Sequence, residues 1–397
     1  MWAFACYMSS IARKNILDFF CKFISLEKNI ATLPLFKKGA LILENRYDIN
    51  PPKSGVKRRI MHLLKFNDST NTKIVAYWLY VMAILVGMMV IIGGITRLTG
   101  SGLSMAEWRP LIGTLPPLNN AEWMRVFELY KSTPEYQQLN FGMQMGAFKQ
   151  IFFWEYFHRL WGRLLGLVYV LPLIYFFVQG RIPAGYRLPL IGLALAGGFQ
   201  GVVGWWMVVS GLADEPTVSQ YRLATHLSIA LGIFTCLMWL AQSLSAGKSK
   251  FKFGVPAFVF ALIFVTIIAG AFVAGMDAGL LYNHYPLMGD GFVPAEYGEK
   301  GLSDPFENPA SAQFHHRWIA LIATVGVIYL WRYALSAGVA VRRAYLMIVI
   351  VFGQFALGIL TLINAAPVHL GAMHQTGALL LLATSLSVIH CLYRETA

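Results

Sequence analysis

The chain has 397 residues, 57% of them hydrophobic and only 13% charged, and its mean hydropathy is +0.57. Soluble domains carry about 25% charged residues, so this balance points to lipid as the main solvent. The formal charge of +13 lies largely ahead of the first apolar run and in short loops, which argues for a role in topology and against a nucleic-acid partner.

Residues 1–75 form neither a span nor a convincing domain. The stretch MWAFACYMSSIARKNILDFFCKFISLEKN mixes bulky apolar residues with Arg13, Lys14, Lys22 and Lys28, as a mitochondrial targeting segment does, although Asp18 and Glu27 intrude. A plain basic tail, continuing through Lys37, Lys38, Lys57, Arg58 and Arg59, is the alternative. A run of about 20 apolar residues crosses a bilayer. Eight such runs follow, at roughly 76–97, 150–178, 189–210, 222–244, 255–276, 315–334, 344–364 and 372–393. Loops after even-numbered runs are basic: Arg181 and Arg187, then Lys248, Lys250 and Lys252, then Arg332, Arg342 and Arg343. Loops after odd-numbered runs are acidic or balanced, with Asp214 and Glu215, then Asp277, Asp290, Glu296, Glu299, Asp304 and Glu307. Basic loops stay inside, so both termini belong on the inner side. Cys6, Cys21, Cys236 and Cys391 show no CxxC spacing and no partner in the acidic loops, which reads as free thiols.

The runs repeat after four. Run 1 ends in GGITRLTGSGLSM and run 5 in GAFVAGMDAGLLYNHYPLM, which aligns Gly93 with Gly270. Runs 2 and 6 open with WEYFHRLWGRLLG and QFHHRWIALIATVG, aligning His158-Arg159 with His316-Arg317. Runs 3 and 7 align Gln200 with Gln354 and Gly204 with Gly358, and runs 4 and 8 align His226 with His374. The expectation is an all-α membrane protein made of two four-helix bundles, residues 76–245 and 246–397, related by a pseudo-two-fold axis along the membrane normal.

Four of the nine histidines, His158, His226, His316 and His374, stand near the outer start of even-numbered runs. An ionisable side chain in a span is costly and usually functional. Two imidazoles on different helices at one depth can face each other across a bundle core, where haem iron takes such axial ligands. The pairs are His158 with His226 and His316 with His374. Zinc is the weaker reading, because two histidines per half leave too few protein ligands. His315 is an alternative to His316, which the His-Arg alignment favours. His369, His284, His390 and His62 lack a repeat counterpart and read as loop or interface residues. Arg159 and Arg317, next to the ligands, either pair with propionates or snorkel to the interface. Gly162, Gly204, Gly358 and Gly377 leave room for close helices or a flat macrocycle. One difference breaks the repeat: Glu155 stands three residues before His158, and Gln313 three before His316. A carboxylate in one half alone suggests chemistry there, by proton transfer or charge stabilisation, or else a group that orients a histidine.

On GGITRLTGSGLSM, EYFHRLWGR, GVVGWWMVVSGL, RLATHL, GAFVAGMDAG, FHHRW, LGILTL and MHQTGA, the chain resembles the haem A synthase family of mitochondria and alphaproteobacteria over roughly residues 75–393. The resemblance implies oxidation of the C8 methyl of haem O to a formyl group, giving haem A for cytochrome c oxidase. It places the haem O ligands on His158 and His226, the ligands of a resident haem b on His316 and His374, and the essential carboxylate on Glu155. It further implies a ferredoxin-type electron donor, a haem O synthase as supplier, and the inner mitochondrial membrane with both termini in the matrix, or else a bacterial plasma membrane. A homo-oligomer is compatible with it. Some bacterial members carry cysteine pairs in outer loops; here the loops at 98–149, 211–220 and 277–311 have none, which removes a loop-thiol mechanism. A di-haem electron carrier without bond-making chemistry is the competing reading.

Overall fold

A computed structural model describes residues 54–107, 115–212 and 216–394, with side chains from residue 70 onward. Most of the expected targeting segment, Cys6 and Cys21, and the loop acids Asp214 and Glu215 lie outside the described residues. The chain divides into two units, residues 1–66 and 67–397, and apart from residues 54–66 at the start of the first helix every feature discussed below belongs to the second.

The described residues are helical, with no strand beyond two isolated bridges. Eight helices are long and apolar enough to cross a membrane. They are α1 (Ser54–Leu98, crossing over Thr70–Leu98), α4 (Met145–Val178), α5 (Arg187–Val209), α6 (Gln220–Ala246), α7 (Val255–Gly275), α9 (Pro309–Ser336), α10 (Val341–Ile363) and α11 (Val368–Leu392). All eight expected runs are present. Several start earlier than their apolar stretch, because polar caps and first turns extend them: α9 begins with Pro309 in its first turn, and the Asn308 side chain accepts from Ala310 N and Ser311 N.

The stretch expected as loop 98–149 contains two short helices, α2 (Asn120–Lys131) and α3 (Pro134–Gln138), capped by Asn119 and Thr133. Their Phe127, Tyr130 and Tyr136 pack with Phe148 and Phe152 of α4 into a separate aromatic cluster that also touches Met105. The corresponding stretch between α7 and α9 holds α8 (Asp304–Glu307).

Among the second four spans, α7 packs along α9, α9 along α10 and α10 along α11, while α6 meets α7 and α11. Glycines let α1 approach α11: a methyl on Gly87 would meet Leu379 at 3.0 Å, and one on Gly371 would meet Leu98 at 2.6 Å. Gln375 of α11 also donates to Val90 O at 2.9 Å. The main buried apolar core comes from the end of each span nearest the basic loops, including Leu79, Leu173, Leu190, Leu237, Ile263, Leu330, Met347 and Leu386 beside them. The opposite ends carry the four seated histidines with their glycines, and on α4 the aromatic cluster of Phe148 and Phe152.

Candidate functional site

Each of the four histidines rests on a glycine of the preceding span. A Cβ on Gly93 (α1) would lie 3.0 Å from Cε1 of His158 (α4), and one on Gly270 (α7) 3.1 Å from Cε1 of His316 (α9). A Cβ on Gly204 (α5) would lie 2.9 Å from Cε1 of His226 (α6), and one on Gly358 (α10) 2.9 Å from Cε1 of His374 (α11). In all four seats the ring Nδ1 stands 3.5 Å from that point. A real side chain would push the ring away, so the glycines fix where each imidazole stands. The glutamines recur too: Gln200 Nε2 donates to His226 O at 2.9 Å, and Gln354 Nε2 to His374 O at 2.8 Å.

The rings of His316 and His374 are 6.4 Å apart between centroids and nearly perpendicular at 86°. Two imidazole nitrogens each about 2 Å from a shared iron put ring centres roughly 6 Å apart, so this pair fits an axial bis-histidine site. Among the described residues no three His, Cys, Asp or Glu gather as a metal group. His158 on Gly93 and His226 on Gly204 repeat the seats of the second pair. His315 is directed elsewhere: its ring stacks on Tyr297, and its Nδ1 lies 2.7 Å from Ser311 O. His284 Nε2 accepts from Gly289 N within a loop, His369 is exposed, and His390 is buried against Ser243 between α11 and α6.

The two pairs differ at Nδ1. In the second half His316 Nδ1 meets Thr266 O at 3.1 Å and His374 Nδ1 meets Gln354 Nε2 at 3.1 Å. In the first half Nδ1 of His158 and Nδ1 of His226 are buried with no hydrogen-bond partner among the described residues. A partner on the second ring nitrogen fixes an imidazole's orientation and tunes its strength as a ligand.

Glu155 and Gln313 occupy equivalent places with opposite hydrogen-bond polarity. Glu155 is 3% exposed. Its Oε2 accepts from Ser104 Oγ at 2.8 Å and Met105 N at 2.7 Å, and its Oε1 from Arg159. Gln313, equally buried, donates through Nε2 to Ala278 O and Leu281 O, both at 2.7 Å, and its Oε1 accepts from Arg317 at 2.8 Å. The loop after α1 therefore presents donors to an acid, and the loop after α7 presents carbonyls to an amide. Both arginines strap the same loops: Arg159 reaches Met105 O and Glu107 O, and Arg317 reaches Tyr282 O and Leu287 O. Ser104, bonded to Glu155, and the glycines Gly93 and Gly270, under the histidine rings, stand at the site although residue type alone did not single them out. The signal for the glycines was their fixed place in the repeat.

The sequence profile of the cytochrome oxidase assembly proteins matches residues 76–386. A haem A synthase of Maricaulis maris is 43% identical over 326 residues, 80% of this chain and 96% of that protein. A haem A synthase of Nitrosospira multiformis is 42% identical over 336 residues, 81% of this chain and 94% of its own. One from Agrobacterium fabrum is 44% identical over 328 residues, 79% and 89% of the two chains. The matched region encloses all four seated histidines and both polar partners at 155 and 313, and at this identity and coverage the chain belongs to the haem A synthase family of cytochrome oxidase assembly proteins.

Proposed function

We propose that this protein converts haem O to haem A by oxidising the C8 methyl to a formyl group, with the substrate held in the first half and a b-type haem resident in the second. The observation that carries the assignment is the inverted polarity at Glu155 and Gln313. Among the described residues, only the first half has a buried carboxylate three residues before a proposed iron ligand.

His158 and His226 hold the substrate iron. Their Nδ1 atoms lack the partners that His316 and His374 have, which suits a group that must enter and leave. His316 and His374 hold the resident haem, which when bound supplies one-electron redox chemistry. Methyl to hydroxymethyl, and hydroxymethyl to aldehyde, are each two-electron oxidations in which protons must also move. Glu155 is placed to accept or return a proton at the substrate side. Ser104, Met105 N and Arg159 fix its two oxygens. The arginines Arg159 and Arg317 close the loops over the two sites, and a propionate contact would add to that role.

The domain division at 76–245 and 246–397 and the pseudo-two-fold axis belong to this reading, supported by the fourfold glycine–histidine seat. So do a ferredoxin-type donor, a haem O synthase as supplier, delivery to cytochrome c oxidase assembly and a homo-oligomeric state. The basic residues ahead of the first span and in the short loops support termini on the matrix side of the inner mitochondrial membrane. The relatives named above are bacterial, which supports a bacterial plasma membrane as the alternative.

The identical seats also favour a second reading, a carrier with two equivalent b haems. Chromatography of haems extracted from the purified full-length protein separates the two. Haem O and haem A beside haem b support the synthase, and haem b alone at two per chain supports the carrier. Glu155→Gln, with both haems bound, is expected to lower turnover by about 10²- to 10⁴-fold. Normal haem A formation by that variant removes Glu155 from the chemistry.

A further inference from the structure

Consecutive residues on an α-helix point about 100° apart, so two neighbours serve two adjacent faces. On α1, Gly93 lies under the His158 ring, while Gly94 faces α11: a Cβ on Gly94 would fall on Oε1 of Gln375 and stand 2.7 Å from its Cδ. On α11, His374 turns to its seat on Gly358, while Gln375 turns to α1 and donates through Nε2 to Val90 O at 2.9 Å. The Gln375 amide thus takes the place that a side chain at position 94 would fill. It stands one residue from a proposed iron ligand of the second half and touches the neighbour of a histidine seat in the first.

The junction of α6 with α7 gives the comparison. The repeat aligns Leu98 with Gly275 and Gly371 with Leu223. A Cβ on Gly371 would meet Leu98 Cδ1 at 2.6 Å, and one on Gly275 would meet Leu223 Cδ2 at 3.5 Å, so both junctions make one contact with glycine and leucine exchanged. The residues aligned with Gly94 and Gln375 are Ala271 and Leu227, whose side chains have no donor. An amide key therefore joins α1 to α11 where the aligned positions of α6 and α7 are apolar. The two histidines near the key are also held unequally. His374 has its seat and Gln354, whose Nε2 lies 3.1 Å from its Nδ1 and donates to its carbonyl. His158 has its seat on Gly93, and its Nδ1 has no partner among the described residues.

We propose that Gln375 is a positioning residue for the substrate site of the opposite half: it fixes the Gly93–Gly94 step of α1 against α11, and through the Gly93 seat it fixes the His158 ring. This rests on the substrate role given to His158 and His226 above. Apolar packing is non-directional and would fill the same space without fixing a register along the helix axis. A directional N–H···O bond does fix one. Its acceptor, Val90 O, is the carbonyl that the helix ladder pairs with Gly94 N, so the amide grips the turn of α1 that ends at the seat. Because His374 has holds of its own, a slip at this junction is passed mainly to His158. The substrate ligand is thereby placed by a residue that the second half contributes.

Electron paramagnetic resonance of the full-length protein in detergent, with its haems bound, tests this. The low-spin ferric signal of a haem held by two histidines follows the orientation of the imidazole planes, and the first-half signal is identified as the one lost in Gly204→Val. Gln375→Met keeps the length of the side chain and loses the donor. It is expected to retain haem b with an unchanged signal, to shift the first-half signal, and to weaken haem O binding by roughly tenfold on titration. The double variant Gly94→Ala/Gln375→Leu brings the residues of the α6–α7 junction to this one, filling the space without the bond. It is expected to fold, keep haem b and show the same first-half defect. A wild-type first-half signal and haem O affinity in either variant overturns the proposal. So does a disturbance confined to haem b, which would make Gln375 a local support of His374. Two b haems and no haem O in the wild-type protein would sink the division of labour instead, and the first-half signal of Gln375→Met would still decide whether the key positions His158.

Discussion

The two halves seat their histidines alike and surround them differently. Four glycines hold four imidazoles with Cβ-to-ring distances between 2.9 and 3.1 Å, so ring placement is common to both halves. What separates the halves is which atoms face the rings and the neighbouring position 155 or 313. The second half supplies a carbonyl and an amide to the ring nitrogens and carbonyls to Gln313. In the first half both Nδ1 atoms have no partner among the described residues, and N–H and O–H donors face Glu155. A duplicated scaffold here keeps its geometry and changes its hydrogen-bond polarity, which is the difference on which the proposed division between resident and substrate haem rests.

The seats give the largest effect. Valine at Gly204 or Gly358 places carbon 2.9 Å from an imidazole and must displace it, and misplacement by about 1 Å at a reacting site costs on the order of a hundredfold in rate. Both variants should lose turnover on that scale. Haem analysis should distinguish them: Gly358→Val loses the resident haem b, whereas Gly204→Val keeps it and loses haem O and haem A. Loss of the same pigment from both would break the division of labour.

Reversing polarity comes next. Gln313→Glu points a carboxylate at Ala278 O and Leu281 O, two acceptors that held an amide at 2.7 Å. Loss of two hydrogen bonds with acceptor facing acceptor in a buried place should destabilise by about 2–4 kcal/mol, partly offset by the Arg317 partner. Thermal unfolding in detergent measures it. A variant as stable as the parent would mean that the carbonyls do not select the amide.

Much of this was legible in the sequence, and the limits are physical. Eight spans are recoverable because about 20 apolar residues is a length that lipid enforces. The histidine pairs, and Glu155 against Gln313, follow from register in the repeat. The polarity of the loops does not, because Met105 N and Ala278 O belong to the backbone, and every residue carries both a donor and an acceptor. Helices α2 and α3 escaped for another reason. They are short, lie in a stretch without an apolar span, and owe their order to aromatic packing on α4. Glu135 was invisible for the same reason, since its burial comes from that packing.

A smaller effect tests the resident site. Gln354→Leu removes the Nδ1 neighbour of His374 and should weaken haem b retention by roughly tenfold, whereas Gln200→Leu removes only a bond to the His226 carbonyl and should leave ring ligation nearly intact. Haem retention during dilution reads both. Equal losses would show that the glutamines act through the backbone alone.

The smallest expected effect, a few degrees in melting temperature, contrasts the two loop acids by pH. Burial alone would raise the Asp304 carboxyl, but the nearby Ser311 hydroxyl and the donors Gly298 N, Lys300 N and Asn308 Nδ2 outweigh it and hold it at about 2 against an ordinary 3.8. Between those values the unfolded chain binds more protons than the native one, so the stability Asp304 contributes is present above 3.8 and is lost as pH falls towards 2. Glu135 works in the opposite sense. With its carboxyl raised from 4.5 to about 7, the native state binds more protons across that interval, and stability falls as pH rises through it. Melting temperatures of wild type, Asp304→Asn and Glu135→Gln should therefore diverge in separate windows. Asp304→Asn flattens the dependence below about 4, and Glu135→Gln flattens it between about 4.5 and 7. If Glu135→Gln left the slope in its window unchanged, Glu135 would be an ordinary ionised carboxylate, and the two loops would differ in sequence without differing in protonation.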